Sequence, residues 1–147
     1  RYLSVALAGA GRLAEAALKT EKALAINPDS KDSLMLYLHQ ALRLERRGEA
    51  REFLKGLLRA GAANPSIHDV LGELCYYDHL YEEAKSHFSE AARHGIVSAF
   101  NNLGVVLYHQ GQYAQARDAF ERCLAADPTH RGARTNLEKS LAHLRTK

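Results

Sequence analysis

Residues 97–130 read VSAFNNLGVVLYHQGQYAQARDAFERCLAADPTH, 34 residues that decide the fold. Phe100, Leu103, Gly104, Leu107 and Tyr108 recur at spacings of three and four. After Gln110-Gly111-Gln112, the residues Tyr113, Ala116, Ala119, Phe120, Cys123 and Leu124 do the same. Both spacings gather apolar residues on one face of an α-helix. Asp127-Pro128 stops the second helix, because proline disfavours the α conformation in the residue before it. Two amphipathic helices with so short a link must pack antiparallel. Gly104 and Ala116 are small where the helices approach, and Leu103 and Phe120 fill the space beside them. One such hairpin cannot bury its apolar face alone, so copies must stack.

Phe100, Leu103-Gly104, Ala116, Phe120 and Pro128 stand at the offsets of the tetratricopeptide repeat pattern, and the stretch resembles that family. It departs from the pattern with Phe100 for Trp, Leu107 for Tyr and Cys123 for a small residue. The resemblance implies an all-α fold, a right-handed superhelical solenoid of antiparallel helix pairs with a C-terminal capping helix.

The rest of the chain contains the copies. Residues 1–30 read as a truncated repeat, with Gly9-Ala10-Gly11 as its turn and Asn27-Pro28 as its stop. Thr20 takes the place of the large aromatic there. Gly9-Ala10-Gly11-Arg12-Leu13-Ala14 also fits a dinucleotide-binding fingerprint. That motif needs a second strand ending in an acid. Residues 23–26 continue a helical face instead, so the repeat turn is the reading adopted.

Residues 31–64 form a degenerate repeat. Ser30 or Asp32 caps its first helix and Gly48 is its turn, later than the regular pattern places it, so that helix should be longer. Residues 65–96 return to the pattern through Leu71-Gly72, Tyr81, Ala84, Phe88 and Ala91. His79 replaces the turn glycine, and His94-Gly95 ends the second helix with a left-handed cap. Residues 131–147 read as a capping helix with Ala133, Leu137, Leu141 and Leu144 as its stripe. The whole is one solenoid, opening inside a helical pattern as a piece of a longer protein would.

At 147 residues, 46% hydrophobic and 25% charged, the chain has an ordinary globular composition. The net charge of +3 distinguishes little. Arg51, Lys55 and Arg59 form a basic stripe, but Glu45, Glu49 and Glu52 interleave with it and no stacking aromatics accompany it. It reads as a solvated convex face, and nucleic acid is not an expected partner. No apolar run has the roughly 18 residues of a membrane span, so direct membrane insertion is not expected. No targeting pattern is present, and the compartment stays open, with the cytoplasm favoured.

Cys75 and Cys123 lie apart on helical faces and read as reduced, buried thiols. The eight histidines are scattered. Cys75 and His79 stand four apart, but no third ligand is visible. No nucleophile, base and orienting acid assemble from local spacing. No enzyme activity, metal or cofactor is expected.

In the family, first helices line a concave side where partners lie. Helical phase puts Asp69, Val70, Glu73, Tyr76 and Tyr77 there, then Asn101, Asn102, Val105, Tyr108 and His109. Thr135, Asn136, Lys139 and His143 follow from the last helix. Asn102 and Asn136 each precede the leucine of the Leu-Gly place. Some family members hold a peptide backbone with such asparagines; the other reading is a helix-stabilising polar residue. Asp69 and Glu73 make one end acidic and would repel the C-terminal carboxylate that other members clamp. The expected function is a non-catalytic interaction module that binds a protein or peptide segment in this groove. The alternatives are a substrate-recruiting arm of a larger enzyme, or of a bacterial envelope or secretion assembly factor, and self-association through the truncated N-terminal repeat.

Overall fold

The computed structural model describes residues 2–146, and for residues 2–8 the backbone alone. Among the described residues there are eight helices and no strand: α1 (Tyr2–Ile26), α2 (Lys31–Leu44), α3 (Arg47–Arg59), α4 (Ser66–Tyr77), α5 (Tyr81–Arg93), α6 (Ser98–His109), α7 (Tyr113–Ala126) and α8 (Arg131–Arg145). None is long and apolar enough to cross a membrane.

The helices end by two devices. Asn27-Pro28 and Asp127-Pro128 stop α1 and α7 as their sequence requires. Five others end in a left-handed residue closed by paired backbone bonds. After α6, Gly111 (φ 77°) sits between Gly111 N–H donating to the Tyr108 carbonyl (3.0 Å) and Gln112 N–H donating to that of Leu107 (2.9 Å). After α4, His79 (φ 60°) takes the glycine's place with the same two bonds, to Tyr76 and Cys75. Glu45 (φ 54°), Gly61 and Gly95 close α2, α3 and α5 likewise.

Three local expectations are corrected. The turn at Gly9-Ala10-Gly11 is absent, and α1 runs unbroken through it. Glycine weakens a helix by about 1 kcal/mol but does not forbid it, and no left-handed residue or proline interrupts these positions. The helical pattern in which the chain opens falls on residues 1–8, outside the described side chains. Gly48 is not the second turn: Glu45 and Arg46 make it, and Gly48 lies in the first turn of α3. The expected lengthening holds, since α2 has 14 residues against 12 in α4 and α6. Finally, Arg51 is not a solvated convex residue. Arg47 Nε donates to Asp78 Oδ1 at 2.6 Å and Arg51 pairs with Asp78 Oδ2, tying α3 to the turn after α4.

Each helix packs on the next in sequence, and α2, α4, α6 and α8 also pack in succession. The odd-numbered helices form no comparable row. The closer row is the inner one, so the even helices line the concave side. The core alternates large rings with missing side chains. A Cβ built on Gly72 would lie 2.6 Å from Phe88 Cδ1, and one on Gly104 would lie 2.6 Å from Phe120 Cδ1. Both rings are buried to within 2% of complete exclusion. Glycine is required at these two places because the rings fill the volume of a methyl group.

Candidate functional site

The concave side carries a repeated pair of bonds. Asn102 Nδ2 of α6 donates to Asp69 Oδ1 of α4 at 3.1 Å. Asn136 Nδ2 of α8 donates to Asn101 Oδ1 of α6, also at 3.1 Å. Asp69 and Asn101 each stand two before the leucine of a Leu-Gly pair, and Asn102 and Asn136 stand at the next place in the following unit. The same contact is therefore made twice along the groove floor.

A second ladder follows the lip. Tyr76 Oη lies 2.9 Å from His109 Nε2, and Tyr108 Oη lies 2.8 Å from His143 Nε2. The His143 ring stacks on Tyr113, with centroids 4.1 Å apart and planes 7° from parallel. Each tyrosine on one inner helix thus reaches the histidine of the next, and the register between repeats is fixed by side chains as well as by packing.

Between the ladders lie two hollows. One, of about 220 Å³, is lined by Glu73, Tyr76, Tyr77, Phe88, Asn102 and Val105. The other, of about 80 Å³, is lined by Val105, Tyr108, His109, Phe120, Asn136 and Lys139. Val105 borders both, so they form one groove across α4, α6 and α8. Phe88 and Phe120 belong to its floor, which the spacing assigned only to the core. The signal was present in Leu71-Gly72 and Leu103-Gly104: with no Cβ, the inner helix lets the ring pack up against its backbone, so the enclosed ring reaches the groove floor.

The sequence-derived residues sort clearly. Glu73, Tyr76, Tyr77, Asn102, Tyr108, His109, Asn136 and Lys139 border the groove. Asp69 and Asn101 lie behind it as acceptors for the asparagines. Val70 does not face it, being wholly buried in the core shared by α1 to α4, because its neighbour Asp69 takes the inward-facing phase.

The ends differ in charge. Glu73 lies one turn after Asp69 on α4, and neither takes part in a described ion pair. Burial, and then the charge of Asp69, pushes the Glu73 carboxyl up to about 7. Burial raises Asp69 too, offset in part by the Asn102 bond and by Lys31. Lys139 stands exposed at the far end on α8. Among the described residues, no group of three or more His, Cys, Asp or Glu side chains could hold a metal ion.

Comparison with known proteins agrees with this architecture. The tetratricopeptide repeat family profile matches residues 97–130. No curated protein matches the chain by sequence. Among solved structures, YrrB, described as a TPR protein with an unusual peptide-binding site, superposes with a TM-score of 0.67 at 21% identity, over 96% of this chain and 74% of YrrB. PilF of Pseudomonas aeruginosa superposes with a TM-score of 0.74 at 23% identity, over 99% of this chain and 67% of PilF. The first TPR of Spaghetti (RPAP3), bound to the HSP90 peptide SRMEEVD, gives 0.69 at 18% identity, over 76% of this chain and 90% of that one. These likenesses show a shared fold, and the profile match marks residues 97–130 as a tetratricopeptide repeat.

Proposed function

We propose that the chain is a non-catalytic interaction module that binds an extended protein segment along the groove of α4, α6 and α8. The observation that carries this reading is the doubled asparagine contact. Each Nδ2 is tied to the preceding inner helix, which fixes the carboxamide plane, while each Oδ1 has no partner among the described residues. Two such acceptors at repeat spacing suit the N–H groups of an extended main chain, whatever its sequence. The tyrosine–histidine lip holds amphipathic rings beside them, of a kind enriched at binding hot spots. Rigid side chains lose little freedom on binding, so the segment bears most of the ordering. The peptide-binding TPR proteins that share the fold support the same reading.

The test is selection of a random twelve-residue peptide display library on the wild-type chain and on a Tyr108→Ala/Asn136→Ala variant, each checked for folding by its melting curve. Peptides retained by the wild type and lost by the variant are expected. Enrichment that ignores the variant would place binding elsewhere.

Self-association is a second reading. Leu18 and Ile26 of α1 and Met35 and Leu36 of α2 are exposed at the N-terminal end of the stack. Light scattering that reports a concentration-dependent dimer, abolished by Met35→Lys/Leu36→Lys, would favour it over the groove.

A further inference from the structure

We infer that the α4 end of the groove seats a lysine or arginine side chain of the bound segment, with Glu73 as its counter-ion and Tyr76 and Tyr77 as its walls. This rests on the groove reading and adds the chemistry of the occupant at one place. The 220 Å³ hollow has three kinds of surface. Its floor is Phe88 and Val105, apolar and suited to the methylenes of a long side chain. Its sides include Tyr76 and Tyr77, with centroids 5.5 Å apart and planes 67° apart, so that different ring faces are offered along one wall. An aromatic face attracts a cation within about 6 Å of its centroid. Its remaining edge is the Glu73 carboxylate, half-buried and without a cationic partner in the described ion pairs.

Other occupants fit worse. A carboxylate would meet both Glu73 and Asp69. A neutral aliphatic side chain would fill the floor and leave the carboxylate desolvated without compensation, which is unfavourable for a buried charge. A cation on a flexible apolar stem satisfies the floor, the rings and the carboxylate together. The burial and the Asp69 charge that raise the Glu73 carboxyl penalise its charged form, and an incoming cation offsets that penalty. Lys139 at the opposite end adds direction, since a segment with its basic residue over α4 and an acidic one over α8 would be preferred to the reverse.

The test uses the same random peptide library at pH 8. Groove-dependent peptides should share a lysine or arginine at one position. Replacing it by norleucine should weaken binding to the wild type about tenfold or more, and to Glu73→Gln less than about twofold. Tyr77→Ala, at a half-exposed residue whose loss leaves the core intact, should weaken the lysine peptide and not the norleucine one. Groove-dependent peptides without a shared basic position, or with unchanged affinity after the norleucine replacement, would overturn the inference and leave the groove reading standing. A library that yields no groove-dependent peptide would overturn both.

Discussion

The ring of Phe120 lies against the bare α-carbon of Gly104, and a methyl group there would sit 2.6 Å from Phe120 Cδ1. The Gly72–Phe88 pair repeats the relationship one unit earlier. Both rings are enclosed, so neither can swing aside without opening the core. Gly72→Ala and Gly104→Ala should each destabilise the chain by about 1–3 kcal/mol. At about 2–4 °C per kcal/mol for this length, thermal unfolding detects that readily. Gly56→Ala is the control. Gly56 is inside α3, and its added Cβ would meet only the tip of Arg59 at 3.8 Å. It should stabilise by about 0.5–1 kcal/mol, because alanine is the better helix former. Equal effects from all three would refute the close-packing account.

Glu45 (φ 54°) holds a backbone conformation that suits glycine, where Gly61, Gly95 and Gly111 stand in the other turns. An L-residue there costs about 1–2 kcal/mol, of which glycine returns part as unfolded-state entropy. Glu45→Gly should therefore raise the midpoint of denaturant unfolding by the equivalent of about 0.5–1 kcal/mol. A lower midpoint would mean that the side chain stabilises the turn in a way its exposure hides.

These turns mark what the sequence could and could not disclose. Leu-Gly pairs, Asn-Pro and Asp-Pro announce the repeat unit because each is needed for close approach or chain reversal. The repeat register placed the turn at His79 although it is no glycine, but Glu45 occupies a left-handed position that neither composition nor register flags, so Gly48 drew the second turn to itself although it is an ordinary helical residue. Gly9 and Gly11 misled in the same direction. A glycine permits a turn without requiring one. In the groove, phase alone placed Glu73, Tyr76, Tyr108 and Asn136 on the inner side, since those helices are regular. It could not show that Asn102 and Asn136 are tied to Asp69 and Asn101, because their pairing depends on the offset between stacked repeats. Val70 fell to the core for a related reason: one residue of phase separates groove from interior.

His68 Nδ1 lies 3.1 Å from His87 Nδ1, joining α4 to α5. One imidazole must donate and the other accept, so the contact survives one proton between them and not two. Burial lowers both histidines; Glu90 opposes it at His68 and His94 adds to it, while His68 and Lys55 add to it at His87 and Glu83 opposes it. A histidine depressed on folding contributes stability that is present above its unfolded value, near 6.5, and lost as pH falls through the folded value. In a Glu73→Gln background, which removes the opposing carboxyl, the melting temperature should decline from pH 7 toward pH 5. The decline should be shallower when His68→Gln/His87→Gln is added to that background. Parallel profiles for the two proteins would remove the pair as the cause.

Glu73 acts with the opposite sign. Its carboxyl is raised from about 4.5 to about 7 by burial and by Asp69 on the same helix, so folding favours the neutral acid. Its stabilising contribution is complete below the unfolded value and is lost as pH rises between about 4.5 and 7. Asp69, Tyr76 and Tyr77 of α4 surround it, Lys31 acts on Asp69 from a distance, and α6 brings the uncharged Asn102 and Val105 to the same hollow. Glu73→Gln should therefore melt several degrees above wild type at pH 8 and close to it at pH 4, where both side chains are neutral. The same titration predicts proton release when a cationic segment binds at pH 7, because the incoming charge draws the carboxyl down. Calorimetry in two buffers of different ionisation enthalpy would read that release for wild type and its absence for Glu73→Gln. Binding of a lysine-bearing peptide with no buffer dependence would show that its cation does not reach Glu73.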